Sequence, residues 1–462
     1  MYRTRQIRIR KGHRLYRYCL EICCSALRLY NRGTYLVRQY ATAVQRLENE
    51  EELTENQKNA YEMISAVTKG TKYEPKTPWL NYGRLDYILK STNDESYFAM
   101  PSQANQQTLK VIMRDFASFF GGIEKYRKHP EEFKGRPKMP GYKKKGGLAT
   151  AILTNQICKI LDGKYLRFPL TGNKINIGKQ PAGTRLKEVR IKPRADEFVI
   201  DVVLEYAEDE DLAWENPLLE LEEDKLRKHL NSIEKCSYRV AGIDSGTTNF
   251  CAVANNFGEK PFLVKGGLIK ARNNFYNKEL TKMISQAKKC NDSYMTKRIS
   301  RHHEKRFRIM KDLMHKASRY IADWAAEQQV DLVVFGHNIF QKQQVNMGHE
   351  NNQTFVQIPF RVFAGMLKYK LNERGIAFLE TEEAYTSQAD FFAMDPIPKY
   401  EKGKQPPKMS GRRIHRGLYR HGNGKLSNAD INGAANIIRK VFPNVKEWDK
   451  GIVDMPYAVF TA

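Results

Sequence analysis

The sequence predicts an α/β protein, with a central sheet in its second half and a helical region and a short antiparallel β region before it. Three observations predict this. Residues 239–253 read RVAGIDSGTTNFCAV, an apolar strand, a tight Gly-Thr-Thr-Asn turn and a second strand. Residues 330–335, VDLVVF, form a continuous apolar run of the kind a parallel sheet buries on both faces. After the hairpin, helical and strand patterns alternate down to a last helix at 430–441.

Composition bounds the function. A chain of 462 residues has room for about two to four domains. Lys plus Arg number 78 against 52 for Asp plus Glu, a net charge of +26, which points to a polyanion and most simply to nucleic acid. The plain alternative is a ribosome-like or merely soluble basic protein. No apolar run reaches the roughly eighteen residues of a membrane-spanning helix, so no membrane partner is expected. The first residues, MYRTRQIRIRKGH, have no apolar stretch of the signal-peptide kind. Cys19, Cys23, Cys24, Cys158, Cys236, Cys251 and Cys290 form no CxxC pair, which argues against a zinc ribbon and fits a reducing cytoplasm.

In chain order, residues 4–11 alternate basic and apolar positions as a short strand. From 14 to 50 the period becomes helical. There ALRLYNRGTYLVRQY mixes Arg28 and Arg32 with Tyr30, which suits RNA backbone contact and base stacking. The alternative is an amphipathic helix with a solvated face. Residues 50–76 read as a polar loop with a helix, and 82–89 and 102–126 as two further helices. The stripe Leu109, Ile112, Met113, Phe116, Phe119 and Phe120 reads as core. Residues 129–145, HPEEFKGRPKMPGYKKK, are a Pro- and Gly-rich connector, and Arg136, Lys138 and Tyr142 in it suit a phosphate backbone. A solvated linker is the alternative. Short β runs over 149–206 predict a small antiparallel barrel that the first strand could complete. The acidic, helical stretch 208–234 reads as a linker. Beyond the hairpin, 273–328 predicts one or two long helices, strongly basic around KRISRHHEKRFRIMK, where Arg298 and Arg301 lie. A helix at 357–374 and a strand at 376–380 follow.

Asp244 interrupts the apolar run of the opening strand. A carboxylate there is costly unless a cation or hydrogen bonds neutralise it. The fragment fits both the RNase H-like nucleases, in which this Asp binds Mg²⁺, and the actin-like ATPases, in which the turn cradles phosphates. Against the ATPases stand the mid-chain position of the motif, the lack of a later DxGGGT loop and the positive charge.

ALRLYN, MPSQANQQTLK, GRPKMPGYK, GIDSGTTN, LMHKASRYIADWA, NNQTFVQIPF, EEAYTSQA, SGRRIHRGLYR and NADINGAANI occur in that order between about residues 27 and 441. In order and spacing they resemble the transposon-encoded TnpB proteins, relatives of type V CRISPR effectors. The resemblance implies an RNase H-like RuvC domain, a helical recognition lobe and a small β-barrel wedge domain. The implied division is a first wedge strand at 1–12, the lobe at 13–130 and the wedge barrel with linker at 131–235. The RuvC domain would follow at 236–387, with a basic target-binding insertion at 388–428 and the final RuvC helix and tail at 429–462. The implied activity is guided cleavage of DNA beside a short adjacent motif. The implied partners are target DNA and a guide RNA, drawn from a transposon end or a CRISPR array and made of one RNA or two. A cytoplasmic, nucleoid-associated prokaryotic protein is expected.

Such cleavage needs three or four carboxylates around two divalent ions about 4 Å apart, so two Mg²⁺ are expected. Asp244 supplies one carboxylate. Asp430, at the start of the last helix, supplies another, although a plain helix N-cap would also place an Asp there. Many TnpB proteins carry the third at the end of the strand written here VDLVVFGHN, where this chain has Gly336 and His337. Glu382 and Glu383 follow the next strand, and adjacent parallel strands end at one edge, so either could take the missing role, with Glu383 the nearer to the cleft. His337 is a weaker replacement. If both glutamates face solvent, the chain is instead a nuclease-dead, RNA-guided DNA-binding repressor of the same architecture. The family's four-cysteine zinc ribbon is also missing: 388–429 holds no cysteine, so no zinc is expected. It holds basic residues instead, of which Arg412, Arg413, Arg416 and Arg420 are expected on the substrate strand or guide–target duplex.

Overall fold

The computed structural model describes residues 2–206, 216–291, 294–337, 357–399, 407–415, 417–448, 452–453 and 455–459. The chain forms two compact units, Met1–Glu208 and Asp209–Ala462.

The first unit opens with strand β1 (Tyr2–Ile9) and the long helix α1 (Tyr16–Glu48). Helices α2 (Glu55–Thr68), α3 (Tyr82–Ser91), α4 (Glu95–Phe98) and α5 (Ser102–Lys128) follow. Helices α2 and α3 begin at side-chain caps the sequence offers: the Thr54 and Gln57 side chains form a capping box on α2, and Asn81 accepts the Arg84 N–H on α3. Strands β2 (Ala151–Thr154), β3 (Lys159–Leu161), β4 (Tyr165–Arg167), β5 (Lys174–Asn176), β6 (Arg185–Arg194) and β7 (Glu197–Glu205) complete the unit.

The expected barrel does not form among the described residues. β1 joins the β region by pairing antiparallel with β7, but the order β1-β7-β6-β2 is an open sheet, and β3, β4 and β5 make a separate one. The physical reason lies in what covers the apolar face. Closure serves to bury a sheet against itself, whereas here α1 covers it: the Tyr16 ring meets Phe198 edge-on at 5.3 Å and the Cys23 thiol donates to the Ile191 carbonyl. One continuous core runs from Leu15 and Leu29 through Leu109 to Val189 and Val202.

The second unit holds α6 (Glu223–Ser232), β8 (Val240–Ser245), β9 (Asn249–Asn255), β10 (Phe262–Lys265), α7 (Gly267–Asn291) and α8 (Lys297–Glu327). It continues with β11 (Leu332–Gly336), α9 (Phe360–Asn372), β12 (Ala377–Thr381), β13 (Arg412–His415), β14 (Leu418–Arg420), β15 (Leu426–Asn428), α10 (Ala429–Val441) and β16 (Tyr457–Val459). Its main sheet has the order β12-β11-β8-β9-β10-β16. β8, β9 and β10 form an antiparallel meander, and β11 and β12 run parallel to β8. Side chains alternate across it. Ala241, Ile243, Val333 and Phe335 pack with α8 and α9, while Val240, Leu332, Val334 and Leu379 pack with α6 and α10. Helices thus cover both faces, the doubly covered arrangement that continuous apolar strands require. β13, β14 and β15 form a separate antiparallel sheet within the insertion.

Candidate active site

Asp244 lies one residue before the end of β8, paired in register with Ala252 of β9. By alternation it faces α10. Room for its carboxylate is made by Gly433, where a Cβ would stand only 2.6 Å from Asp244 Oδ2. Asp430 stands in the first turn of α10. It is not the cap of that helix: the Asn428 side chain accepts the Asp430 and Ile431 N–H groups at 3.0 and 3.2 Å. The Asp430 carboxylate is therefore left to turn toward the sheet. There Asn249 Nδ2 donates to its Oδ2 at 2.7 Å, and an Arg413 nitrogen donates to its Oδ1 at 2.6 Å. Lys265 in turn donates to Asn249 Oδ1 at 3.1 Å.

The two glutamates after β12 part company. Glu382 ion-pairs with Lys440 of α10 at 2.5 Å. Glu383 acts on Asp244. The Asp244 pKa is pushed well above the ordinary carboxylate range, by burial first, then by the negative charge of Glu383, then by that of Asp430, with Arg413 pulling it back. Arg413 and Asp430 are in contact, Glu383 and Asp430 act on Asp244 through their charge, and Glu382 is paired with Lys440. Clustered carboxylates, one with its pKa driven up by burial and then by like charge, are a donor set that fits hard divalent cations.

Gly336, which stands where the family's glutamate is often found, is in register with Thr381. A Cβ on it would run into Ile437 of α10, so the packing of α10 on β11 leaves no space for a side chain. The His337 ring packs beside Phe335 and Phe360, on the aromatic side of the sheet. A cavity of about 550 Å³ runs beside Asp430, lined by Thr247, Thr248, Lys265, Arg413, Leu418 and Asn428 among others.

The insertion places Arg412 opposite Arg420 on the paired strands β13 and β14, both exposed. Arg416 lies outside the described residues. Beneath the arginines is a buried polar core. Asp390 Oδ1 meets His421 Nδ1 at 2.6 Å, Ser427 Oγ meets His421 Nε2 at 2.7 Å, and the Gly422 N–H donates to Asp390 Oδ2 at 2.6 Å. Asp395 accepts from the Asp390 and Ser410 N–H groups and from the Ser410 hydroxyl.

Elsewhere the expected contact residues divide. Arg28, Arg298 and Arg301 are exposed on α1 and α8. Arg136, Lys138 and Tyr142 are exposed on the connector. That connector is tied along α1: an Arg38 nitrogen donates to the Pro140 carbonyl at 2.6 Å, and Asn31 bonds both the N–H and the carbonyl of Lys143. Tyr30 is 5% exposed and its hydroxyl donates to Asp115 at 2.8 Å, so its ring cannot stack on a base. Arg32 is engaged with Asp94 at 2.7 Å.

Residues 229–339 match the family model of a probable transposase, OrfB_IS605, and residues 360–437 match the Cas12f1-like TNB domain. The chain is TnpB-like. Among solved structures, a Cas12f1–sgRNA–target DNA complex is 12% identical, with a TM-score of 0.45, covering 90% of this chain and 81% of that one. The Alicyclobacillus acidoterrestris C2c1 bound to single-guide RNA is 10% identical, with a TM-score of 0.32, covering 93% and 70%. The likeness to these families rests on the two family models and not on these structures. A search of the curated proteins gives no match. No helix of the described residues is long and apolar enough to cross a membrane.

In this TnpB-like site, sequence reasoning passed over Asn249, Gly433, Lys440 and the His421 core. Asn249 and Gly433 lie inside GIDSGTTN and NADINGAANI, where they read as turn and helix residues. The signal for Lys440 is present: Asn432, Asn436 and Lys440 recur at four-residue spacing on a helix whose intervening positions are mostly apolar.

Proposed function

We propose that the chain is an RNA-guided DNA endonuclease whose RuvC-type site is formed by Asp244, Glu383 and Asp430. The observation that carries this is the convergence of Glu383 and Asp430 on Asp244, at the edge of a sheet whose first three strands are antiparallel and whose next two run parallel to the first. These three residues would hold two Mg²⁺ ions, which when bound supply an attacking water of lowered pKa and stabilise charge on the leaving oxygen. The chain's own residues prepare the site. Asn249 and Arg413 fix the two oxygens of Asp430, and Gly433 leaves space for Asp244. Arg413, 46% exposed, reaches the site from the insertion, where a strand phosphate would meet it.

The basic surfaces support nucleic-acid partners. Arg412 and Arg420 face one another across a strand pair, an arrangement that costs stability unless a polyanion lies over it. In the first unit the connector presents Arg136, Lys138 and Tyr142 from a backbone held by Asn31 and Arg38, which suits a structured guide RNA. A guide RNA and target DNA are named in the Cas12f1 complex that the chain resembles.

The test separates the adjacent glutamates. Glu383→Gln is expected to lower guided cleavage in Mg²⁺ by about 10²-fold or more, as loss of a charge-stabilising group does. Glu382→Gln should stay within a few-fold of the parent. Equal loss in both variants would remove Glu383 from the site.

A further inference from the structure

Helix α10 carries three polar side chains at four-residue spacing, and all three bond the main chain of one segment. Asn432 Nδ2 donates to the Ala389 carbonyl at 2.8 Å, and its Oδ1 accepts the Phe391 N–H at 3.2 Å. Asn436 Nδ2 donates to the Thr386 and Ala389 carbonyls at 3.0 and 2.7 Å. Lys440 Nζ donates to the Ala384 carbonyl at 2.9 Å and pairs with Glu382. The neighbouring inward positions are Ile437, Ile438 and Val441, all buried in an apolar cluster. The Lys440 side chain is only 7% exposed. An ammonium in such a place costs several kcal/mol unless it is matched by geometry, and an apolar residue would fill the space more cheaply.

The segment it bonds explains the cation. Residues 382–390 lie beyond β12 and contain neither helix nor strand, so no ladder holds their backbone. A metal-binding carboxylate on such a segment is loose unless its neighbours pin it. Asp430 sits on the first turn of the same helix, so one rigid element carries one acidic residue and grips the loop that carries another. The ammonium also distinguishes the adjacent glutamates: it ion-pairs with Glu382 at 2.5 Å and feels Glu383 only through its charge.

We propose that Lys440 is a positioning residue for the Glu383 carboxylate: its ammonium pins the Ala384 carbonyl and holds Glu382 aside, so that Glu383 alone of the pair faces Asp244. This rests on the nuclease reading above. With Lys440 removed, the loop should keep its Asn432 and Asn436 bonds, so the fold should survive while the carboxylate loses its aim.

The experiment uses the full chain bound to its guide RNA, as parent, Lys440→Met, Lys440→Arg and the double variant Lys440→Met with Glu382→Leu. The double variant replaces both charges with apolar groups and guards against misfolding of the single one. Two readouts are taken: the Mg²⁺ dependence of target cleavage, and polypeptide scission by hydroxyl radicals generated at bound Fe²⁺ with ascorbate and peroxide. The parent should be cut near residues 244, 383 and 430. In Lys440→Met and in the double variant, scission near 383 should fall while that near 244 and 430 persists. Half-saturating Mg²⁺ should rise about tenfold, as on loss of a supporting contact to a metal ligand, with target binding unchanged. Lys440→Arg, which can still reach the carbonyl, should recover most of the loss. A folded Lys440→Met or double variant with parental Mg²⁺ dependence and parental scission near 383 overturns the proposal. A parent that shows no scission near any of the three residues and never cuts DNA overturns the nuclease reading itself.

Discussion

A single methyl group separates a working Asp244 from a displaced one. At Gly433 the added Cβ would stand 2.6 Å from Asp244 Oδ2, inside van der Waals contact, and the backbone of α10 behind it is fixed by packing on β8. Gly433→Ala is expected to keep the fold and to lower guided cleavage by at least about tenfold, because a shift of about 1 Å at a reacting group costs on that order or more. Circular dichroism would confirm the helix, and single-turnover kinetics would read the loss. Unchanged kinetics would mean that Asp244 has space the structure does not show. At this scale the sequence was legible where a residue broke its local pattern. Asp244 stood out because an apolar strand has no other use for a carboxylate. Glu382 and Glu383 could not be separated, because the chain leaves the strand at Thr381 and side-chain alternation ends there. Tyr30 misled for the opposite reason. Its partner, Asp115, lies far along the chain, and no local pattern announces it.

At the scale of elements, the insertion is held together by side chains. Asp390 and His421 are fully buried together. Burial pushes the Asp390 pKa up, but the Gly422 N–H and the His421 ring outweigh it and hold the carboxyl below its ordinary value. A depressed pKa contributes stability that is complete above the ordinary value of 3.8 and is lost as pH falls through the depressed one. At neutral pH the contribution should therefore be complete. Asp390→Ala, which leaves the buried His421 ring and the Gly422 N–H without their acceptor, should destabilise the insertion by about 1–3 kcal/mol. Its difference from the parent should shrink only in strong acid. Hydrogen exchange across residues 410–428 would show this, and a zinc chelator should leave the parent's exchange unchanged. Exchange that rises with the chelator would point to a metal. The insertion's outer face gives a second prediction. Reversing Arg412 and Arg420 to Glu should reduce cleavage while guide binding stays within a few-fold; an equal fall in guide binding would move these residues to the guide. The long helices were legible from their period, as were the buried strands β8 and β11. β10 and β16, of four and three residues, were too short to declare a period. The barrel was misread because strand composition reports a buried face without saying that α1, more than a hundred residues earlier, covers it.

At the scale of the molecule, a net charge of +26 and a cluster of carboxylates have to be reconciled in one chain. The positive surfaces suit nucleic acid and the acidic site suits divalent cations. Charge alone would equally suit a protein that binds DNA and never cuts it, which is why the order of motifs and the carboxylate geometry mattered more than composition. The measurement that tests the central claim most directly is cleavage of a plasmid carrying the guide-matched target by the purified ribonucleoprotein in Mg²⁺, with Asp244→Ala beside it. The account predicts that the parent cuts only the matched plasmid and that Asp244→Ala binds the same target with parental affinity and leaves it whole. A parent that binds the matched target but never cuts it, in Mg²⁺ or Mn²⁺, or an Asp244→Ala variant that cuts as well as the parent, would contradict it.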